Sequence, residues 1–290
     1  MPNMKRWAVS VMRILRWAFI LSRTQMDIGL RFCHQKSEVC FLKRIYKFIA
    51  LLAVCCTFLS TAALAKAPRV IPYPKGLDTV SEGASSAPNS INHKNSKYFS
   101  QLDYYKMKSS KGLTILSNYP TYQQSTEYTC GPAAGLTVLY YFGNTDYDEM
   151  SLAKEMKTQG YPIGTNPQDM ADFFKRLGWY VESSMDGISF ESYDLFMAFV
   201  LKELKAGHPI MVENVEWGGH WRVIIGYDTM GTEATLDDVL IFADSYDTCD
   251  HLQDGYTVGS SWKFYSMWFD HYMLPEAQRS QPFILAYPKK

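Results

Sequence analysis

The strongest constraint on this chain of 290 residues is a change of period part-way along it. Over residues 131–205 large apolar side chains recur at helical spacing, and from Pro209 onward they collect in short β-forming runs. The stretch 131–142, G-P-A-A-G-L-T-V-L-Y-Y-F, reads as a buried helix with Pro132 in its first turn and Gly143 and Asn144 at its end. A second helix is expected over 148–157. A third opens at Asn166-Pro167 and stops at Gly178. A fourth, over 191–205, turns Leu195, Phe196, Phe199, Val200 and Leu204 toward the core and ends at Gly207. Strands follow over 209–215, 221–227, 239–243 and 283–287, separated by Gly, Asp and Asn turns. A helical half followed by consecutive strands that can pair antiparallel predicts an α+β fold rather than a doubly wound parallel sheet.

Charge is unevenly divided. Residues 1–47 hold ten Lys and Arg against only Asp27 and Glu38, so this stretch carries +8 and the rest of the chain −8, although the whole is neutral. A body of net negative charge lacks the footprint that phosphate backbones demand, which argues against nucleic acid as a partner. With neither a G-x-x-x-x-G-K nor a G-x-G-x-x-G motif, nucleotide binding has no support and no cofactor is expected.

The basic excess leads into K-R-I-Y-K at Lys43, an uncharged apolar run, and S-T-A-A-L-A before Lys66, the layout of a secretory signal peptide over 43–65 with cleavage after Ala65. Residues 1–42 then form an atypical N-terminal extension or an untranslated stretch, with initiation nearer Leu42. The expectation is an exported protein, periplasmic or extracellular, with no stable membrane insertion once the leader is cut. Residues 66–98, rich in Ser, Asn, Pro and Gly, read as a flexible arm or linker, and 99–290 as one domain. Four of the six cysteines lie before Lys66, leaving Cys130 and Cys249, which in an oxidising compartment can simply pair.

Cys130 directly precedes the G-P-A-A helix, where unpaired N–H groups and the positive end of the helix dipole favour a thiolate. A thiolate nucleophile needs an imidazole partner. His93 lies in the polar arm, His251 in an Asp-rich loop, His208 before Pro209 and His271 in an aromatic tail segment. His220 instead follows Gly218-Gly219 and opens H-W-R-V-I-I-G-Y-D, which sets its ring at the mouth of a core strand. Asp244, ending V-L-I-F-A-D on the next strand, is the favoured carboxylate to hold that ring, with Asp228 and Asp247 as competitors. Gln124, six residues before Cys130, can join the Cys130 backbone N–H as donor to a developing oxyanion, and Gln123 has nearly the same spacing. Asp247, Asp250 and Asp254 crowd one loop without the spacing of a helix-loop-helix calcium loop, and a solvated acidic turn is expected there. Cys249 with His251 is too sparse for a zinc site, so no metal is expected.

Taken together, Q-x-x-x-x-x-C-G-P-A over 124–133, H-W-R-V-I-I-G-Y-D and the Asp after the next strand resemble the bacteriocin-processing type of papain-like cysteine peptidase, in its stand-alone, exported bacterial branch. The resemblance spans 119–247. It implies a papain-like α+β fold, a helical half packed on an antiparallel sheet, and thiol-dependent hydrolysis of a peptide or protein substrate by Cys130, His220 and Asp244 with Gln124. Founding members cut leaders after paired glycines. The membrane and ATPase parts of such transporters are lacking, so coupling to transport is not carried over. The residue before the cysteine, commonly Asp in that family, is Thr129 here, and Ser245 follows Asp244 where Pro is familiar. The alternatives are a non-catalytic peptide-binding module with Cys130 and Cys249 oxidised, or a deamidase or acyl transferase using the same triad. Trp217, Trp221, Trp262 and Trp268 would line a recognition groove in the binding module, and otherwise belong to the core. The sequence sets no oligomeric state.

Overall fold

The structure is a computed structural model that describes residues 67–87, 97–98, 102–250, 252–271 and 274–289, all within the unit Leu64–Lys290. The expected extension 1–42, the signal peptide 43–65, His93 and His251 lie outside the described residues.

The helices stand close to where the sequence puts them. α1 (Cys130–Tyr141) follows β1 (Leu113–Ile115), and α2 (Glu149–Glu155) and α3 (Pro167–Arg176) come next. Asp148 caps α2 by accepting from the Ser151 N–H, and Asn166 caps α3 by accepting from the Gln168 N–H, so each start is set by a side chain that satisfies an otherwise orphaned donor. The chain continues through β2 (Tyr180–Ser183), α4 (Tyr193–Ala206), β3 (Ile210–Asn214), β4 (His220–Asp228), β5 (Val239–Asp244), β6 (Tyr256–Ser260), α5 (Ser261–Ser266) and β7 (Phe283–Tyr287). All described pairings are antiparallel, in the order β2-β7-β3-β4-β5-β6, with β1 also on β4. This is an α+β papain-like arrangement.

β4 organises the sheet. β3 pairs with its first half (Asn214 opposite His220), β1 with its second half (Ile115 opposite Gly226), and β5 runs along the other edge. The register between β4 and β5 shifts between Ile224 and Gly226, where a Cβ on Gly226 would meet Ile115 and Ile241 at 3.1 Å. Glycine there lets three strands converge on one bulge.

α1 is buried on every side from Cys130 to Leu139, consistent with its near-continuous apolar sequence. Gly131 is demanded by close approach: a Cβ would stand 2.5 Å from Thr165, in the loop that opens α3. That contact brings the loop across the start of α1, where the Thr165 carbonyl accepts from the Trp221 indole. Among the described residues no helix is long and apolar enough to cross a membrane.

The structure departs from the sequence reading in places. β1, β2, β6 and α5 were not expected. β2 and β6 are short edge strands with mixed exposure, and α5 is a six-residue turn of aromatic sequence that lacks a helical stripe. Leu195 does not face the core: it is 55% exposed, because the buried stripe of α4 runs through Phe196, Val200 and Leu204 and Leu195 lies about 100° round the helix from Phe196. In place of a loose arm, residues 67–87 are docked. Ile71 and Ala84 are buried, the Ile71 N–H donates to the Thr121 carbonyl, and the Ser85 N–H donates to the Gln124 carbonyl. Two small apolar anchors and paired backbone suffice to hold a segment whose composition is otherwise that of a linker.

Candidate active site

Strand register brings the histidine and the acid together. Asp244 lies directly opposite Arg222, and His220, two residues earlier on β4, shares that face as a diagonal neighbour. The His220 Nε2 and Asp244 Oδ1 are 2.8 Å apart, and both residues are almost completely buried. Asp244 accepts further bonds from the Tyr246 N–H (2.9 Å) and the Thr257 hydroxyl (2.9 Å). Arg222 stands 3.7 Å from its second oxygen, while also pairing with Glu216 and lying over the Phe242 ring. Asp228 instead accepts from the Met230 N–H in a turn.

Electrostatics follow from these contacts. Burial works against an ionised Asp244, but the His220 charge, its hydrogen bond and Arg222 outweigh it and hold the carboxyl below the ordinary carboxylate range. Burial likewise works against a charged His220. The Asp244 carboxylate, followed by the Cys130 sulfur, reverses that effect and lifts the imidazole to about 9. With Nε2 turned to Asp244, the nitrogen left for the sulfur is Nδ1.

Cys130 is the first residue of α1, and no side chain caps the helix at Thr129, so the N–H groups of the first turn are not claimed by a cap. Cys130 is buried and Cys249 exposed, and both are free thiols, which removes the disulfide on which the binding-module alternative rested.

Gln124 is fixed rather than mobile. Its side-chain oxygen accepts from the Ser245 hydroxyl (2.8 Å), its amide nitrogen donates to the Thr126 carbonyl (2.8 Å), and its backbone N–H donates to the Ser245 carbonyl. The amide nitrogen carries a second hydrogen beyond that bond. Both amide atoms of Gln123 are buried without a hydrogen-bond partner.

Two contributors were not read as part of the triad's surroundings: Glu149 was not singled out, and Trp217 was expected only in a recognition groove or in the core. Glu149, completely buried at the start of α2, accepts from Tyr122, the Ser125 N–H and the Thr129 hydroxyl, tying down the loop that delivers Cys130. Thr129 thereby works with a carboxylate borrowed from α2, a link that no local motif encodes. Trp217, with its backbone at φ 51°, lays its ring 5.0 Å from His220 and 5.1 Å from Tyr246, covering the outer side of the pair. The other histidines are placed elsewhere: His208 bonds Glu203 and stacks on Tyr287, and His271 is at the surface. Trp221 and Trp268 are core residues.

The acidic loop is not a solvated turn. Asp247 is 1% exposed and one of its oxygens accepts from the Asp254 and Gly255 N–H groups, so it closes the turn from inside. Burial and the neighbouring Asp250 push it up to about 9. Among the described residues no group of three or more His, Cys, Asp or Glu is arranged to hold a metal ion.

The sequence pattern of the Peptidase_C39 like family matches residues 116–268, just over half of the chain and all of the geometry above. The chain belongs to this family. Among solved structures this C39-like chain is similar to the peptidase domain of Streptococcus ComA, described as a bi-functional ABC transporter involved in a quorum sensing pathway. The two share 19% identity, with 59% of this chain and 99% of that one covered and a TM-score of 0.40. It is also similar to the peptidase domain of Streptococcus mutans ComA, at 16% identity, 58% and 98% coverage and a TM-score of 0.30. No curated protein matches the chain. Family membership makes it a cysteine-peptidase-type hydrolase fold.

Proposed function

We propose that the protein is an exported thiol peptidase in which Cys130 attacks a peptide carbonyl, His220 moves the proton, Asp244 orients and charges the imidazole, and Gln124 with the Cys130 backbone N–H receives the oxyanion. The observation that carries this reading is His220 itself, buried between the Asp244 carboxylate at 2.8 Å and the Cys130 sulfur, with its pKa lifted to about 9. At neutral pH the ring is then cationic, and a cation beside a thiol at a helix start favours the thiolate. The sulfur adds to the carbonyl and the carbon–oxygen electron pair moves onto oxygen, where fixed N–H donors stabilise the charge. His220 gives its Nδ1 proton to the leaving amine as the carbon–nitrogen bond breaks. It next takes a proton from water as the hydroxide forms a bond to the acyl carbon, and the thiolate departs. Asp244 keeps the Nε2 proton in place throughout, so each transfer uses the nitrogen facing the sulfur.

Export is supported by the three-part leader over 43–65. Two measurements test the reading. A thiol-directed electrophile should modify Cys130 selectively over Cys249 below pH 7, and His220→Ala should abolish that selectivity. A peptide library should be cut under reducing conditions by the unaltered protein and left intact by Cys130→Ala. An inert Cys130 with no turnover would overturn the assignment.

A further inference from the structure

The loop 121–127, which carries Gln124, is held from outside by the arm that precedes the domain. The Ile71 N–H donates to the Thr121 carbonyl at 2.9 Å, and the Thr121 N–H donates to the Arg69 carbonyl at 3.0 Å. The Tyr73 hydroxyl donates to the Gln123 carbonyl at 2.9 Å, and the Ser85 N–H donates to the Gln124 carbonyl at 3.0 Å. Three carbonyls of this loop therefore find their donors on the arm rather than in a helix or strand, which makes the arm part of the loop's own hydrogen bonding.

Gly83 makes the closest approach. Its φ of 69° and ψ of 176° lie in a region that essentially only glycine occupies. A Cβ there would stand 2.5 Å from the Ser125 carbonyl carbon, 2.6 Å from the Thr126 nitrogen and 2.7 Å from the Gln124 oxygen, all backbone atoms that cannot swing aside. The Gly83 N–H donates to Glu127 Oε1 at 3.0 Å, and Glu127 Oε2 accepts from the Tyr246 hydroxyl at 2.9 Å. Glu127 is thus anchored on its far side, and it holds the arm against the loop. Next to this contact Ala84 is 2% exposed, so the approach is also sealed by a buried methyl group.

Resting on the peptidase reading, we infer that Gly83 and Ser85 of the arm are positioning residues for the oxyanion donor, setting the direction of the Gln124 amide by fixing the backbone of residues 124–126. That amide is aimed by the Thr126 carbonyl and the Ser245 hydroxyl, and the arm rests on the first of these supports. A donor already in place stabilises developing charge far better than one that must reorganise, and a displacement of about 1 Å is enough to lose much of the benefit. Cys130 and His220 are held separately, by α1 and β4. The arm therefore acts on the step that places charge on the carbonyl oxygen and leaves the thiolate as it is.

The test compares variants of the complete exported chain on a peptide that the unaltered protein cuts. Gly83→Ala should lower kcat by about tenfold or more, with KM within about twofold and both limbs of the pH–rate profile in place. Alkylation of Cys130 by iodoacetamide forms a carbon–sulfur bond as iodide leaves and puts no charge on oxygen, so its rate should stay within about twofold. Ser85→Pro deletes the donor to the Gln124 carbonyl without touching Gly83, and should lower kcat in the same direction. In a Gln124→Ala background Gly83→Ala should cost less than about twofold, since the donor it aims is gone. Unchanged kcat in both arm variants overturns the inference. Alkylation that falls in step with kcat also overturns it, by marking a general loosening of the fold, as does an equal loss with and without Gln124. Cleavage that ignores the arm keeps the peptidase and removes the positioning role, whereas no cleavage by the unaltered protein removes both.

Discussion

Asp244 and Glu213 are carboxyl groups on two strands that flank β4, almost equally buried at 4% and 3% exposure, and their surroundings drive them to opposite states. Asp244 is surrounded by a ring nitrogen, a backbone N–H, a hydroxyl and a guanidinium, and is held ionised. Glu213 has no such partner, and burial pushes its carboxyl well above the ordinary range. Depth is the same on both sides, so partners decide. One side of the cysteine is a finished charge pair, fit to polarise an imidazole permanently, and the other is a buried carboxyl without a partner.

The largest effect should come from dismantling the finished side. His220→Ala removes both the proton carrier and the cation beside the thiol, and kcat/KM for a cleaved peptide should fall by about 10³-fold or more. Asp244→Asn keeps the shape and removes the charge. It should cost about 10²–10⁴-fold in rate and, because it leaves His220 and Arg222 buried without their anion, about 3–5 kcal/mol in stability measured by denaturant unfolding. Wild-type-like stability in Asp244→Asn would mean that Arg222 is satisfied by Glu216 alone and that the pair is not the anchor described here.

The comparison also fixes opposite pH dependences. His220 releases its proton near 6.5 when unfolded and about 9 when folded, so its contribution to stability is complete below pH 6.5 and is lost as pH rises through about 9. Asp244, depressed in the folded state, contributes above the ordinary carboxylate range and loses that contribution as pH falls through its native value. Glu213 runs against both. Above its ordinary range the unfolded chain gives up this proton while the folded chain keeps it, so the group erodes stability as pH rises, by at most about 1.4 kcal/mol per unit. Glu213→Gln should therefore flatten the decline of stability as pH rises above the ordinary carboxylate range, read from chemical unfolding at fixed ionic strength. An unchanged slope would show that Glu213 is ionised and partnered in the free protein.

The two sides were not equally legible in the sequence. Cys130, His220 and Asp244 are reactive side-chain types at element ends, where Gly-Pro, Gly-Gly and the end of an apolar run mark the boundaries, and the helix and strand spans around them follow from period alone. Glu213 sits in I-M-V-E-N, an apolar strand sequence ending in two polar residues, and nothing in it singles Glu213 out. Its burial depends on the Thr165 loop and the Asp270 segment closing over it, and such closure is a tertiary fact without local signature. Asp247 misled in the same way: clustered acids suggest solvation, yet a carboxyl group can be drawn inside to accept the N–H groups of its own turn. Leu195 failed for a smaller reason: the apolar residues of α4 cover more than one row, and only the row of Phe196, Val200 and Leu204 meets the core, with Leu195 about 100° away from it.

The smallest expected effect tests why the finished side stays dry. The Trp217 ring is 59% exposed, so it adds little apolar burial, but it stands between water and the His220–Asp244 bond. Trp217→Ala should raise the effective dielectric around that bond and weaken the Coulomb coupling that lifts His220. The rate at neutral pH should fall only about 3–10-fold, while the upper limb of the pH–rate profile moves down from about 9 toward 6.5. Trp217→Phe, which restores a ring at the same left-handed backbone position, should recover most of the shift. An unmoved upper limb in Trp217→Ala would mean that Tyr246 alone shields the ring, and the dryness of the pair would then belong to the loop after β5 rather than to the turn before β4.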